Sequence, residues 1–83
     1  MITPDLINNA IKSIEYNRIR GTNSVVCALV LHNGHIVIGE AHCAPDTEFN
    51  AELGMKYSRE DAERKVGELL TFAARERSNP LLS

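Results

Sequence analysis

The side chains best suited to chemistry lie on a short segment that follows an Asn-Gly turn signal. Glu40 and His42 are two positions apart, so an extended strand projects both from one face. A carboxylate beside an imidazole can orient the ring for proton transfer or bind a ligand, although exposed strand ends also carry such pairs. The nearby Cys27 lies in an apolar run typical of a small buried residue. Because no third catalytic group or oxyanion donor can be placed, we predict that the protein is not an enzyme and that Glu40 and His42 contact a ligand.

A second set of candidate ligand-binding residues lies between positions 49 and 64. Arg59 and Arg64 follow the start of a predicted helix, where a phosphate of a small nucleotide can meet backbone N–H groups and guanidinium donors. Phe49, Asn50 and Tyr57 would add stacking and amide contacts. The same residues also fit a plainer interpretation, in which the rings pack in the core or against another subunit and the charges form solvated helical pairs. Both interpretations stay open.

Length and charge narrow the classes of partner. The chain has 83 residues and a net charge of −2, which gives no field that would hold duplex nucleic acid. No apolar run is long enough to span a bilayer and the first residues do not resemble a signal peptide, so we expect no membrane contact. Two cysteines, Cys27 and Cys43, are too few for a disulfide scaffold or a zinc site, and we predict no metal and no cofactor. Small domains without such supports usually self-associate.

The chain begins with a predicted helix. Thr3 can cap the free N–H groups of a first turn, and Pro4 suits the first helical position. Apolar residues then recur three and four positions apart, which extends the helix to about Tyr16 or Asn17.

A β-hairpin is the clearest prediction of the sequence. Residues 25–31 are all apolar and are followed by Asn33 and Gly34, the pair that favours a two-residue type I′ turn. Such a turn pairs His32 with His35 and fixes the register of both strands. One face would then carry Val25, Cys27, Leu29, Leu31, Ile36, Ile38, Glu40 and His42. The other face would carry Val26, Ala28, Val30, Val37, Gly39 and Ala41, and its small residues would admit a helix or another subunit.

Two more helices are predicted after the hairpin. A short one begins near Phe49, and its apolar stripe lies on a different side from that of the residues that follow. A break at residues 54–58 reconciles the two stripes, so the last helix is predicted over residues 59–76 with a frayed tail from about residue 78. The prediction is a single α+β domain over residues 1–83, in the order helix, β-hairpin, short helix, helix. Because both hairpin faces are apolar, we expect a homodimer or higher oligomer that extends the hairpin into a larger sheet.

Three stretches of the sequence carry a family resemblance. They are residues 25–43, VVCALVLHNGHIVIGEAHC, residues 49–54, FNAELG, and residues 58–62, SREDA. In this order they resemble a family of small tailed-phage proteins named after gene 49 and gene 66 of two members, over about residues 25–70. The resemblance implies a phage accessory protein acting in the cytoplasm of an infected bacterium. Members often have a tryptophan in the last helix where this chain has Gly67, which predicts a close packing contact there.

Two functions remain open. The first is counter-defence, in which the protein binds and sequesters a small nucleotide-like signal at a subunit interface. The second is inhibition or modulation of a host or phage enzyme through a docking surface on the helices. A small hydrolase that uses Glu40 and His42 is a third and weaker alternative.

Overall fold

The computed structural model describes residues 2–43 and 48–82. Within these residues the elements are, in chain order, α1 Pro4–Ala10, β1 Ile11–Arg18, β2 Ser24–Leu31, β3 Ile36–His42 and α2 Ala51–Ser78. The strands form one antiparallel sheet in the order β1-β2-β3. The predicted α+β class is confirmed, while the first helix, the hairpin register and the last helix are each corrected.

The first helix is shorter than predicted. Thr3 Oγ1 accepts a hydrogen bond from an N–H of the first turn at 3.3 Å and Pro4 follows, so the predicted start is confirmed. The helix ends at Ala10, and its predicted extension to about Tyr16 is wrong because Ile11–Arg18 forms β1. A two-stranded hairpin is marginally stable alone. Pairing with β2 therefore outweighs the weak helix preference of the isoleucine, serine, tyrosine and asparagine residues in this stretch.

The hairpin turns at Asn33 and Gly34 as predicted, but its loop has three residues. Gly34 has a φ of +88°, whereas Asn33 has a negative φ, which excludes a type I′ turn. The Leu31 N–H donates to the His35 carbonyl oxygen at 2.8 Å. The Asn33 Oδ1 atom accepts a hydrogen bond from the His35 N–H at 3.0 Å and holds the loop. The predicted pairing of His32 with His35 is therefore wrong.

The extra loop residue shifts β3 by one position, and a shift of one residue exchanges the two faces of a strand. Cys27 lies opposite Gly39. The face towards α2 carries Val25, Cys27, Leu29, Leu31, Val37, Gly39 and Ala41. The other face carries Ser24, Val26, Ala28, Val30, Ile36, Ile38, Glu40 and His42. The prediction that Glu40 and His42 share a face with Cys27 is wrong.

The last helix is continuous. The helix α2 spans Ala51–Ser78, so the predicted break at residues 54–58 and the separate short helix are wrong. Asn50 caps its first turn, since its Oδ1 atom accepts a hydrogen bond from the Leu53 N–H at 3.1 Å. The buried side of the helix carries a residue at every fourth position, namely Gly54, Ser58, Ala62 and Val66. The small residues at 54 and 58 thus form a packing face. No helix of the described residues is long and apolar enough to cross a bilayer.

Gly39 sets the distance between β3 and α2. A Cβ atom at this position would collide with the carbonyl oxygen of Ser58 and the backbone nitrogen of Ala62, and would lie 2.7 Å from the Ala62 Cβ. A Cβ atom on Gly54 would similarly lie 2.6 Å from Cγ2 of Val25. Of the two occupants predicted for the face that carries Gly39 and Ala41, a helix or another subunit, the structure shows the helix α2, whereas Ala28, predicted on the same face, lies on the other.

The core lies between α2 and the inner face of β2 and β3. Its buried side chains are Cys27, Leu29, Leu31, Val37, Ala62 and Val66. Ile7 and Ala10 of α1 pack against the same cluster, and Ile7 also faces Gly67 of α2, so both helices cover one face of the sheet. Burial raises the pKa of the Cys27 thiol, which keeps it protonated and agrees with its prediction as a small buried residue.

Candidate functional site: the open face of the sheet

The seven residues predicted to contact a ligand lie in three places. Two project from β3 on the face away from the helices, two stand at the start of α2, and three follow along α2. In this order they are Glu40, His42, Phe49, Asn50, Tyr57, Arg59 and Arg64. The structure brings together only the first pair and the second pair.

Glu40 and His42 belong to a hydrogen-bonded row of three side chains. The His42 Nε2 atom lies 3.0 Å from Oε2 of Glu40, and the His42 Nδ1 atom lies 2.8 Å from Oγ of Ser24. A ring that donates from Nε2 to the carboxylate accepts at Nδ1 from the serine hydroxyl. Sequence reasoning missed Ser24, because only the observed register places it opposite His42. The row fixes the imidazole at one end of the sheet.

The row contains the group types of a Ser-His-acid triad, yet its setting differs from that of an active centre. More than half of the His42 and Glu40 side chains is exposed to solvent. Nucleophilic catalysis depends on preorganised donors in a site from which water is excluded. The row instead lies open to solvent on the sheet face away from the helices.

Phe49 and Asn50 each have a partner within the fold. The guanidinium carbon of Arg18 lies 3.8 Å from the centroid of the Phe49 ring, a cation–π contact. The Arg18 Nε atom also donates to the carbonyl oxygen of Thr22 at 2.8 Å. Phe49 thus ties the β1–β2 connection to the segment that precedes α2, while Asn50 caps the helix. These contacts support the packing interpretation of both residues.

The two arginines predicted to bind phosphate are paired with carboxylates. Arg59 Nε lies 3.6 Å from Oε1 of Glu63. Arg64 binds Asp61 Oδ1 at 3.0 Å and also pairs with Glu68, and these partners raise the pKa of the Arg64 guanidinium. A phosphate at either arginine would have to displace or approach a carboxylate, which weakens its attraction.

Two charged side chains of α2 reach the outer edge of β3. Asp61 Oδ2 accepts a hydrogen bond from the backbone N–H of Glu40 at 2.9 Å. Lys65 Nζ donates to the carbonyl oxygen of Ile38 at 2.8 Å and lies 3.3 Å from the Asp61 carboxylate. Both side chains thus occupy strand groups that another chain would otherwise use.

Asp61 should make the protein less stable at low pH. The Glu40 N–H, then Arg64 and Lys65, lower the pKa of Asp61 from 3.8 to about 2. A lowered pKa stabilises the folded state above the unfolded pKa, and this contribution is lost as the pH falls from about 4 through about 2. We expect it to be about 1–2 kcal/mol after solvent screening, measured by urea denaturation between neutral pH and pH about 2. In Asp61→Asn, which keeps an acceptor for the N–H, this part of the acid dependence should disappear; an unchanged pH profile would contradict the assignment.

Within residues 2–43 and 48–82, no element covers the sheet face opposite the helices, which we call the open face. Three rows of paired residues cross it from β1 to β3: Ser13, Val30 and Ile36; Glu15, Ala28 and Ile38; Asn17, Val26 and Glu40. The Ile36 and Ile38 residues are 55% and 41% exposed. A depression of about 480 Å³ lies at the middle of the face, and Ile36 and Ile38 also border a second one that leads round the β3 edge to Leu69 and Phe72 of α2. The apolar surface therefore continues from the sheet to the helix.

The open face has an acidic border. Among the residues of its three paired rows the charged side chains are Glu15 and Glu40, which lie on either side of the apolar strip, while Lys65 of α2 borders the strip at the β3 edge. Sequence reasoning did not identify this face as one surface, because β1 was predicted as helix and the register of β3 was one residue off.

The fold defines a small α+β protein in which two helices cover one side of a three-stranded antiparallel sheet. The model of the phage protein family described as N4 Gp49/phage Sf6 gene 66 matches residues 2–78, and the chain belongs to this family. The resemblance recognised in residues 25–70 is thereby confirmed, and it extends over nearly the whole chain. No curated protein and no solved structure gave a match.

Proposed function

We propose that this phage protein is a non-catalytic binding protein that holds a protein partner against its open face in the cytoplasm of the infected bacterium. The observation that carries the proposal is the bare apolar strip of the sheet, with Ile36 and Ile38 about half exposed on adjacent rows. The partner would be a host or phage enzyme whose activity the protein inhibits or modulates.

The size of the apolar surface supports a binding role. Leu69 and Phe72, 41% and 55% exposed, extend the strip beyond the sheet. Burying what remains exposed of each of these four large side chains contributes about 2 kcal/mol at about 25 cal/mol per Å². Contiguous apolar patches of this kind on a small protein usually mark an interaction surface.

The charges of the open face favour a partner other than a second copy. Two copies packed face to face would bring carboxylates against an equally acidic surface, because the charged strand residues of the face are Glu15 and Glu40. A partner with an apolar ridge flanked by lysine or arginine side chains would instead complement the strip and its border. The preferred docking surface is thus the sheet rather than the helical surface predicted from the sequence.

Sequestration of a nucleotide-like signal stays a prediction with weaker support from the geometry. Its phosphate would meet Arg59 and Arg64, which are already paired with carboxylates, and the exposed His42 lies beside Glu40. Isothermal titration with cyclic nucleotides and ADP-ribose derivatives separates the two functions, because a nucleotide-binding protein gives saturable heat and a purely protein-binding one gives none.

The protein-binding proposal predicts a selective effect of one charge on the open face. Tagged wild-type protein and its Ile38→Lys and Leu53→Lys variants would be captured from infected cells, since Ile38 and Leu53 have similar exposures, 41% and 43%, but Ile38 lies on the open face of β3 and Leu53 on α2. We expect one stoichiometric partner with the wild type and Leu53→Lys, and at least about a tenfold loss with Ile38→Lys, because a lysine in the apolar strip must be desolvated.

Three results of this capture experiment bear on the proposal. Equal capture of the partner by both variants, or no stoichiometric partner with the wild type, would contradict the proposal. Recovery of untagged copies of this chain alone, lost with Ile38→Lys, would mean that the open face is an interface between copies. Equal denaturation midpoints of the two variants in urea would show that neither result comes from unfolding.

A further inference from the structure

The two outer edges of the sheet differ. At the β3 edge, Asp61 accepts from the Glu40 N–H and Lys65 donates to the Ile38 carbonyl oxygen, so side chains of α2 occupy two of the central groups that a further strand would need. Within the described residues the sheet ends at β1 on its other side, and α2 packs over β2 and β3. Natural proteins usually protect exposed strand edges, and an edge left open is a site for strand addition.

The hydrogen-bond alternation of the sheet identifies the open groups of β1. The Ile19 N–H donates to the carbonyl oxygen of Ser24, so position 19 directs its backbone groups towards β2. In an antiparallel pair every second residue does so, which turns the N–H and C=O groups of Ile14, Tyr16 and Arg18 towards the outer edge. This edge therefore offers hydrogen-bonding groups along most of the strand.

We propose that β1 pairs antiparallel with β1 of a second copy of this chain, about a two-fold axis at Tyr16, to give a continuous six-stranded sheet. In this pairing, Tyr16 lies opposite Tyr16 of the other copy, and Ile14 of each copy lies opposite Arg18 of the other. Each of these three pairs exchanges two backbone hydrogen bonds, which gives about six in total. A two-fold contact closes the open edge of both copies at once. Because the β3 edges are occupied by α2, assembly through strand edges stops at the dimer.

Charges favour this register over the one centred at Glu15. An axis at Tyr16 places Glu15 of one copy opposite Asn17 of the other on the open face. Moving the axis by one residue, to Glu15, places the two Glu15 side chains directly opposite each other, where like charges are destabilising. The axis at Tyr16 also brings two tyrosine rings together, and aromatic cross-strand pairs are favourable.

The dimer would enlarge the proposed binding surface, although its formation does not require that the surface binds a partner. Two open faces become one double-width surface, and each partner site has a copy beside it across the axis. About six ladder hydrogen bonds must offset the entropy of association, so we expect dissociation in the micromolar range rather than a permanent dimer.

A proline at the two-fold axis tests the pairing. The Tyr16 N–H points outwards, so Tyr16→Pro removes an intermolecular donor and obstructs the edge while the β1–β2 ladder is kept. Light scattering over a concentration series should show wild type and the control Tyr16→Val rising from the monomer mass towards twice that mass. Tyr16→Pro should remain at the monomer mass throughout. A wild type that stays monomeric, or a Tyr16→Pro variant that dimerises like the wild type, would overturn the proposal.

A disulfide scan decides the question if the proline variant fails to fold. In a Cys43→Ser background, where Cys27 is fully buried, single cysteines would be placed at positions 14, 15 and 16 and oxidised mildly. A residue on the axis meets its own counterpart, so Tyr16→Cys should cross-link at least about tenfold faster than the other two. Fastest cross-linking at position 14 or 15, or none at all, would refute the proposed axis. Both readouts are independent of any captured partner, so they separate this proposal from the binding function.

Discussion

Replacing Gly39 with alanine is expected to lower the free energy of unfolding by about 3 kcal/mol, at the upper end of the usual cost of overpacking. The added Cβ would collide with the carbonyl oxygen of Ser58 and the backbone nitrogen of Ala62. These are backbone atoms of a continuous helix, so they cannot move aside by a change of rotamer, and α2 must shift as a whole. Since small domains have a total stability of about 5–10 kcal/mol, the variant should lose a large part of it.

The matched control is a second glycine-to-alanine change, where α2 faces α1 and a Cβ has space, so the close packing contact predicted at Gly67 is wrong. A Cβ on Gly67 would meet only Cδ1 of Ile7, at 3.4 Å. Alanine is the better helix former by about 1 kcal/mol, so Gly67→Ala should stabilise the protein by about 0.5–1 kcal/mol. Urea denaturation of both variants measures the two changes. Effects of the same sign at Gly39 and Gly67 would contradict the packing of α2 on β3.

Local signals predicted the parts of the fold that neighbouring residues determine. The Thr3 cap and Pro4 mark the start of α1 because capping depends on one turn of chain. The turn at Asn33 and Gly34 likewise depends on which residues tolerate a positive φ. The buried state of Cys27 follows from its apolar neighbours. These features need no knowledge of the tertiary structure.

The register of the hairpin could not be predicted because Asn-Gly suits loops of more than one length. The choice between two and three loop residues rests on the hydrogen bond from the His35 N–H to Asn33 Oδ1 and on a glycine in the third position. A single residue decides which face Ile36 and Ile38 occupy, and therefore whether the apolar strip is in the core or on the open face.

The strand β1 and the continuity of α2 depend on distant contacts. Ile11 and Ile14 have helical spacing, but a bulge between Ile11 and Ser13 lets both side chains contribute to the core from a strand. In the sequence Gly54 indicates a helix break, but in the structure it is a glycine because Val25 packs too close to leave room for a side chain. Long-range pairing thus determines the elements that local patterns assigned incorrectly.

The candidate site was only partly predictable for the same reason. Glu40 and His42 were recognised as neighbours on one strand, while their partner Ser24 and the carboxylate of Asp61 come from other elements. The alternating charges of α2 have the signature of solvated pairs, and the sequence does not reveal that Asp61 and Lys65 bind the backbone of β3. The acidic border of the open face requires β1, which adds Glu15.

Truncation of two adjacent residues of β2 should distinguish the two faces of the sheet. Leu29 is fully buried beneath α2, whereas Val30 lies on the open face. Leu29→Ala removes buried methyl groups and leaves a cavity, so we expect a loss of about 3 kcal/mol in the free energy of unfolding. Val30→Ala deletes fewer carbon atoms from a partly exposed site, and its cost should stay below about 1 kcal/mol.

The concentration at which this pair of variants is measured adds a second test. If the open face is bare in solution, as in the structure, the cost of Val30→Ala is the same in dilute and concentrated samples. If copies instead pack face to face, Val30 becomes buried in the dimer, and its truncation costs more as the concentration rises. A dimer formed through the β1 edge leaves Val30 exposed, so a concentration-dependent dimer together with a constant Val30→Ala effect is the expected result. A Val30→Ala cost that matches that of Leu29→Ala at high concentration would show that a second copy covers the open face, and the protein partner would then have to bind elsewhere.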